Sequence, residues 1–426
     1  MPLAPTDQIR SRFPALRRTH GRHPVAYFDG PGGTQVPEQV PAAMAHYLFH
    51  SNANAHWAFP TSAETERVRQ QAREAMADLL CARAEEIVFG PNMTTLTYQL
   101  SRALGREMAP GDQIVVTELD HHANVDPWKA LEEERGVTIR TLPLIPETGT
   151  LDLERFPELL GPRTRLVALG AASNAIGTLT DVAPLARMAR EAGARVFVDA
   201  VHLAPHRRIR VGELHCDFLA CSPYKFYGPH MGVLWLRGDL LENLDVPKVE
   251  SAPNQGPERF ELGTVNAEGM AGSTAAVDFL AGLAADGGSL GREPHADPSA
   301  RRALLDAFFT ELAPREEALL ERLWNGLAAI PGVRLYGPPP GQDRAPTLSF
   351  TVDGKSPRDV SSRLAEEQGA FLSHGDFYAA TLVRRLGLGP DGMARAGISI
   401  YTNAQEVDRV VEGVGIISSR RAGASG

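Results

Sequence analysis

The sequence predicts an α/β protein: a large domain built on a mostly parallel sheet, followed by a smaller α+β domain. Three observations carry this expectation. Between residues 85 and 240, short β-rich runs alternate with stretches of helical period, the rhythm of a parallel sheet with crossover helices. A Gly-, Pro- and charge-rich seam, DGGSLGREPHADPSA at 286–300, then separates that region from one with a different order of elements. Finally, 426 residues exceed what one hydrophobic core usually serves.

The clearest unit spans 164–200. Leu166-Val167-Ala168-Leu169 reads as a buried strand, and a loop with Ser173, Asn174 and Gly177 follows it. Asp181 is placed to cap a helix whose apolar positions Val182, Leu185, Met188 and Ala189 share one face, and Gly193 to end it. Val196-Phe197-Val198 is the next strand. Ile87-Val88-Phe89, Ile114-Val115-Val116 and Phe218-Leu219-Ala220 read the same way. Beyond the seam, a long helix is expected from about 300 to 329, a short run at Thr347-Leu348-Ser349-Phe350, a helix at 357–367, a run at Ile398-Ser399-Ile400 and a helix at 404–415. As domains, residues 25–285 form the larger unit, 1–24 with 286–418 the smaller one and its N-terminal arm, and 419–426 a disordered tail.

Hydrophobic residues make up 43% and charged residues 22%, an ordinary globular balance. The formal net charge of −9, without a long block of either sign, argues against a nucleic-acid groove. No run approaches the roughly 18 apolar residues of a membrane span, and MPLAPTDQIRSRFPALRR has no apolar signal core, so a cytoplasmic protein is expected. Cys81, Cys216 and Cys221 fit neither a zinc knuckle nor a disulfide framework and read as buried thiols.

In such sheets the ligand crevice lies beyond the carboxyl ends of the strands, so the loops there are where chemistry is sought. Pyridoxal phosphate requires an amine, an acid at the ring nitrogen, a flat group over the ring and a phosphate cup, and each has a candidate. Lys225, within SPYKFYGPHMG, is an amine among aromatic residues and glycines; desolvation would make it nucleophilic, although alone it also fits a snorkelling surface lysine. Asp199 ends a strand and can hold a pyridinium proton, or else cap the next turn. His202 and Asn174 can reach the ring oxygen. One of His121 and His122 can stack on the ring; a two-histidine metal site is the rival, but adjacent histidines diverge on an extended chain and no third ligand is close in sequence. Met93 and Thr94, at a helix N-terminus, and Ser222 form the candidate phosphate cup.

Together these residues resemble aminotransferase class V, in its cysteine-desulfurase-like branch, over roughly residues 25–415. The motifs are YFDGPGGT at 27–34, DHHAN at 120–124, SNAIGT at 173–178, Asp199-Ala200-Val201-His202 and Ser222–Gly232. The resemblance implies a fold-type-I enzyme with a seven-stranded sheet. It also implies pyridoxal 5'-phosphate as cofactor, His121 as the stacking residue, Asn174 and His202 on the ring-oxygen side, Asp199 at the ring nitrogen and Lys225 as the Schiff base. RFELGTVN at 259–266 is similar to the segment by which a second subunit lends a threonine, here Thr264, to the phosphate, so a homodimer is implied. Arg395-Ala396-Gly397 resembles the motif that grips the substrate carboxylate, a task suited to a guanidinium fork. Side-chain recognition is left to loops 52–62 and 368–384, with Asn52 and His374 as candidate contacts.

Three departures bear on the reaction. Tyr224 precedes Lys225 where the family usually has His, and His202 stands where Gln is frequent. Desulfurases carry a catalytic Cys on a loop upstream of the arginine motif, whereas EQGAFLSHGDFYAATLVR at 367–384 contains none. The expected reaction is therefore C–S cleavage of cysteine or an S-substituted cysteine by β-elimination, without a protein persulfide. Epimerisation or transamination is the alternative, with a desulfurase or a non-catalytic relative behind them.

Overall fold

The computed structural model describes residues 3–284 and 298–420. Most of the 286–300 seam and residues 421–426 of the expected tail lie outside them. Seven strands form the large sheet: β1 (Ile87–Gly90), β2 (Gln113–Thr117), β3 (Thr138–Leu142), β4 (Thr164–Gly170), β5 (Arg195–Asp199), β6 (Phe218–Cys221) and β7 (Gly232–Leu236). Their order is β1-β7-β6-β5-β4-β2-β3, all parallel except β7, which runs antiparallel to both neighbours. The expected mostly parallel seven-stranded sheet is therefore present.

The strands are continuous apolar runs because both faces are covered. Val115, Val167, Leu169, Val196, Val198 and Leu219 enter one core cluster, while Ile114, Val116, Leu166, Ala168, Phe197 and Phe218 enter the other. This alternation is the two-residue period of a strand. Among the crossover helices, α1 (Met93–Gly105) follows β1 and α2 (Val182–Glu191) follows β4. Helix α2 buries Val182, Leu185, Ala186 and Ala189 and leaves Met188 half-buried. Asp181 stands at its N-cap but its side chain makes no capping bond, and Gly193 turns the chain at φ +86°.

Helix α3 (Pro298–Ala328) leads into the small sheet, whose strands β8 (Val333–Tyr336), β9 (Thr347–Val352), β10 (Ser373–Gly375) and β11 (Met393–Gly397) run in the antiparallel order β8-β9-β11-β10. Helices α4 (Pro357–Gln368) and α5 (Ala404–Ser419) pack on it: Val360, Leu364, Val407, Val410 and Val414 share a cluster with Leu348, Phe350 and Ala396. Two expectations are corrected here. The apolar run Ile398-Ser399-Ile400 is not a strand; the ladder ends at Gly397, and the amides of Ile398 and Ile400 bond instead to Pro346 O and the Tyr227 hydroxyl. Ser419 and Arg420, expected in the tail, are instead the last residue of α5 and its C-cap.

The N-terminal segment contacts residues on both sides of the 286–300 seam. Phe13 meets the rings of Tyr227, Phe279 and Tyr401 at 5.8, 5.5 and 5.0 Å, Arg10 forks onto Glu406 at 2.9 Å, and Ala26–Tyr27 pairs in parallel with Ala370–Phe371.

The two sheets meet along the loop after β4. Gly177 (φ +77°) brings its backbone against β9: a Cβ there would lie 2.5 Å from Thr347 O and 2.8 Å from Ala345 O. Ala345 N donates to Gly177 O at 2.8 Å. Gly177→Ala combines a forbidden contact with a strained φ, so it should lower unfolding free energy by roughly 2 kcal/mol or more. Denaturant melts check this; an unchanged midpoint would contradict the packing described.

Candidate active site

Five loops at the carboxyl edge of the large sheet converge on one cleft. It is lined by Asn92, Met93 and Thr94 after β1, Asp120 and His121 after β2, Asn174 after β4, Asp199 and His202 at the end of β5, and Ser222, Tyr224 and Lys225 after β6. The cleft encloses about 580 Å³ of atom-free space, part of it open to solvent. Gly232 of β7 packs against the Asn92 backbone, where any Cβ would come within 2.3 Å of Asn92 C, so the β1 loop can lie this close only beside a glycine.

A single 3₁₀ turn, Pro223–Lys225, aims Lys225 into the cleft. The residue is 8% exposed, which removes the surface-lysine reading. Its Nζ donates to the carbonyls of Pro31 and Gly32, the latter at 3.0 Å, and lies 4.8 Å from the Tyr224 ring centroid. Burial pushes its pKa down to about 7, helped by the Arg395 charge and opposed by Asp29 and Asp199.

Two carboxyls face the same space. Asp199 accepts from Val201 N at 2.9 Å, and burial pushes it up to about 6. Asp120 is held well above the usual carboxylate range, first by burial and then by the nearby Asp199 charge. Asp120 was visible only as a motif letter; its second carboxyl neighbour comes from another strand.

His121 accepts from Ala123 N through Nδ1 at 2.9 Å, which assigns its proton to Nε2. Burial, then the Lys225 charge, pushes it down to about 4, so the ring is neutral near pH 7. His122 turns away, its Nε2 3.1 Å from Thr381 Oγ1. Among the described residues no group of three His, Cys, Asp or Glu side chains is placed to hold a metal.

His202 Nε2 lies 2.9 Å from Thr347 Oγ1, and its ring meets His206, which is itself bound to Glu316 at 2.8 Å. Asn174 donates through Nδ2 to Phe377 O at 2.9 Å. At the helix entrance the cap is Asn92: its Oδ1 accepts from Thr95 N at 2.8 Å, leaving Met93 and Thr94 at the dipole's positive end.

Four expected contact residues do not line the cleft. Arg395, in β11, is buried behind Asn174; it donates to Asn174 O at 2.8 Å and Ser373 Oγ at 3.1 Å, and its Nη2 is 3.7 Å from Asp29, a charge contact beyond hydrogen-bond reach. Two of its five donors are thus engaged. His374 is exposed. The register pairs Ser373 with Arg395 and His374 with Ala394, which turns His374 to the opposite face of the sheet. Asn52, beyond helix Gln39–His50, is also exposed and does not line the cleft. Thr264 is exposed on a segment fixed by Arg259, which donates to Leu241 O and Leu244 O, and by the buried fork of Arg73 on Glu261 at 2.9 and 2.8 Å. Thr347 and the Pro31 and Gly32 carbonyls carry no mark in the sequence as site groups.

Three buried polar atoms on cleft residues lack a protein partner: Asp120 Oδ2, Asn174 Oδ1 and His202 Nδ1. With a buried amine, a carboxyl at a strand end and a helix N-terminus, they fit a flat, polar, phosphorylated ring, the demands that pointed to pyridoxal phosphate.

Comparison with known proteins agrees. The model of the family described as aminotransferase class-V matches residues 26–287 and 302–410. A protein named cysteine desulfurase from Serratia proteamaculans is 32% identical, over 96% of this chain and 97% of its own. Another of that name from Pectobacterium atrosepticum gives the same figures. Among solved structures, the apo cysteine desulfurase of Thermococcus onnurineus superposes with a TM-score of 0.85 at 27% identity, over 98% of both chains. One from Escherichia coli gives 0.81 at 29%, over 96% of this chain and 97% of the other.

The lowered Lys225 pKa makes its free amine the major form above about pH 7. When cofactor-free protein is mixed with pyridoxal phosphate and quenched with borohydride, label should appear on Lys225, at a rate that rises up to about pH 7 and then levels. Lys225→Ala should stay folded and carry no label. Peptide mass spectrometry decides: label on another lysine, or a rate still climbing steeply at pH 9, would contradict the assignment.

Proposed function

The chain belongs to the aminotransferase class-V family, and from that membership we propose that it cleaves the C–S bond of cysteine or an S-substituted cysteine by β-elimination, without a protein persulfide. It is a pyridoxal-phosphate-dependent enzyme with relatives named cysteine desulfurase. The finer reading is carried by the position of its cysteines. The chain has three, and none lines the cleft. Cys221 is the last residue of β6 and Cys216 precedes that strand; burial pushes both thiols up to about 12. Cys81 is only partly buried, contrary to expectation, and ends helix Pro60–Leu80 beside Arg210. A thiolate nucleophile at the substrate needs a lowered pKa and access, and neither buried thiol has them.

When bound, pyridoxal phosphate supplies the electron sink that acidifies the α-hydrogen of an amino acid. In our reading Lys225 holds the cofactor, and its Nζ, poised near neutrality, takes that proton. The Cα–H electron pair moves into the Cα–Cβ bond as the Cβ–S bond breaks, and sulfur leaves with the bonding pair to be protonated as a thiol. Water completes the balance, giving pyruvate and ammonia. Asp199 would keep the ring nitrogen charged and the neutral His121 would cover the ring. Asn174 and His202 would flank the ring oxygen, and Met93, Thr94 and Ser222 would cup the phosphate. Arg395, behind Asn174, would take the α-carboxylate with the donors not already engaged. A homodimer is part of the proposal, supported by exposed Thr264 beside Leu262, itself 57% exposed. A cytoplasmic setting is supported by the free thiols and by the lack, among the described residues, of a helix long and apolar enough to cross a membrane.

Asp199→Asn should lower turnover by at least roughly a hundredfold with folding intact, the scale of losing an acid–base partner; near-normal turnover would leave Asp199 as a turn residue. Replacing Cys81, Cys216 and Cys221 together by Ala should leave pyruvate and thiol release from S-substituted cysteines largely unchanged. Mass spectrometry of the unsubstituted enzyme after turnover with cysteine is the complementary measurement: a persulfide on any of the three, coupled to alanine release, would overturn the elimination reading.

A further inference from the structure

Between β10 and the helix Ala380–Arg385, Phe377 and Tyr378 occupy consecutive left-handed backbone positions, φ +57° and +58°. Such a backbone is strained for an L-residue and persists only where surrounding bonds impose it. Here they do. Asn174 Nδ2 donates to Phe377 O at 2.9 Å, His122 N to Tyr378 O at 2.7 Å, and Asp376 accepts from Tyr378 N at 3.0 Å. The small-domain loop is therefore stitched to the two cleft loops that carry Asn174 and His121.

The strained pair sends its rings in different directions. Phe377 is buried, with the Arg395 guanidinium 4.0 Å above its centroid. Tyr378 is 75% exposed, and its ring lies 5.4 Å from that of His121 at 32°. The dipeptide thus borders the cleft at two points, Tyr378 beside His121, which lines it, and Phe377 against Arg395, the residue assigned to the substrate carboxylate.

We propose that Tyr378 is a specificity-determining residue whose ring forms the wall against which the substrate side chain packs, selecting cysteine conjugates with an apolar or aromatic group on sulfur over free cysteine. This rests on the C–S cleavage reading above. An aromatic face whose hydroxyl can stay in water gains from covering a large apolar or aromatic group, and a bare thiol offers it little area.

The test is a titration of the pyridoxal-phosphate-loaded enzyme with alanine, S-methylcysteine and S-benzylcysteine, followed by cofactor absorbance, in the unsubstituted chain and in Tyr378→Ala and Tyr378→Phe. Tyr378→Ala should weaken S-benzylcysteine roughly tenfold, as expected for losing an aromatic partner, while alanine binding stays within about twofold. Tyr378→Phe should bind like the unsubstituted chain. Equal weakening of all three ligands, no weakening of any, or a Tyr378→Phe variant as impaired as Tyr378→Ala would overturn the assignment. The underlying reading fails separately, through selective binding without release of thiol and pyruvate. If no amino acid perturbs the absorbance of the unsubstituted enzyme, both fall.

Discussion

The loop from Ala172 to Thr178 leaves the large sheet and is buried at once against the small one, so its backbone groups must find partners there. Ser349 Oγ donates to Ala175 O, Arg344 to Ile176 O, Ala345 N to Gly177 O and Arg395 to Asn174 O. This single junction sets the distance between the wall that carries Asn174 and the strand that carries Arg395. It also explains why Gly177 has no alternative: the carbonyls of β9 occupy the place of a side chain. The cleft is therefore a product of two sheets closing on one loop.

Burial is the second organising influence. It lowers Lys225 and His121 and raises Asp199 and Asp120, drawing four ionisable groups toward neutrality within one cleft. Such clustering of opposed shifts is the physical mark of a reactive site. The amine becomes a nucleophile near neutral pH, and the carboxyls are poised to respond to a cationic ring. His202 belongs to the same set: burial lowers its pKa, and its ring lies against His206, which Glu316 holds, and beside the Thr347 hydroxyl.

A different part of the molecule bears on the proposed choice of reaction. The residues assigned to the ring suit every carbanion chemistry alike, so in the proposed reading the fate of the β-substituent rests with the loop between β10 and the helix Ala380–Arg385. There the chain offers Asp376, Phe377 and Tyr378 on a strained, doubly tethered backbone, while its thiols lie in or beside β6 and at a distant helix end.

Five strands of the large sheet were legible in the sequence because a buried strand needs an apolar run, and Leu166–Leu169 and Val196–Val198 have few other ways to be satisfied; their order in the sheet was not. Lys225, Asp199 and His121 were legible as candidates because their residue types are rare at strand ends, and the structure brings all three into one cleft. What only the tertiary structure decided concerns contacts between distant segments. Burial raises the pKa of Asp120, and the charge of Asp199, two strands away in the sheet order, raises it further. Strand register turns Ser373 toward Arg395 and His374 away from it. The partners of the Lys225 amine are the carbonyls of Pro31 and Gly32, which no side chain announces. The apolar run Ile398–Ile400 imitates a strand because burial alone calls for such residues, whether the backbone is paired in a ladder or closed in a turn. Periodicity encodes which residues leave water; it does not encode what they meet once inside, since that is set by how separate segments pack.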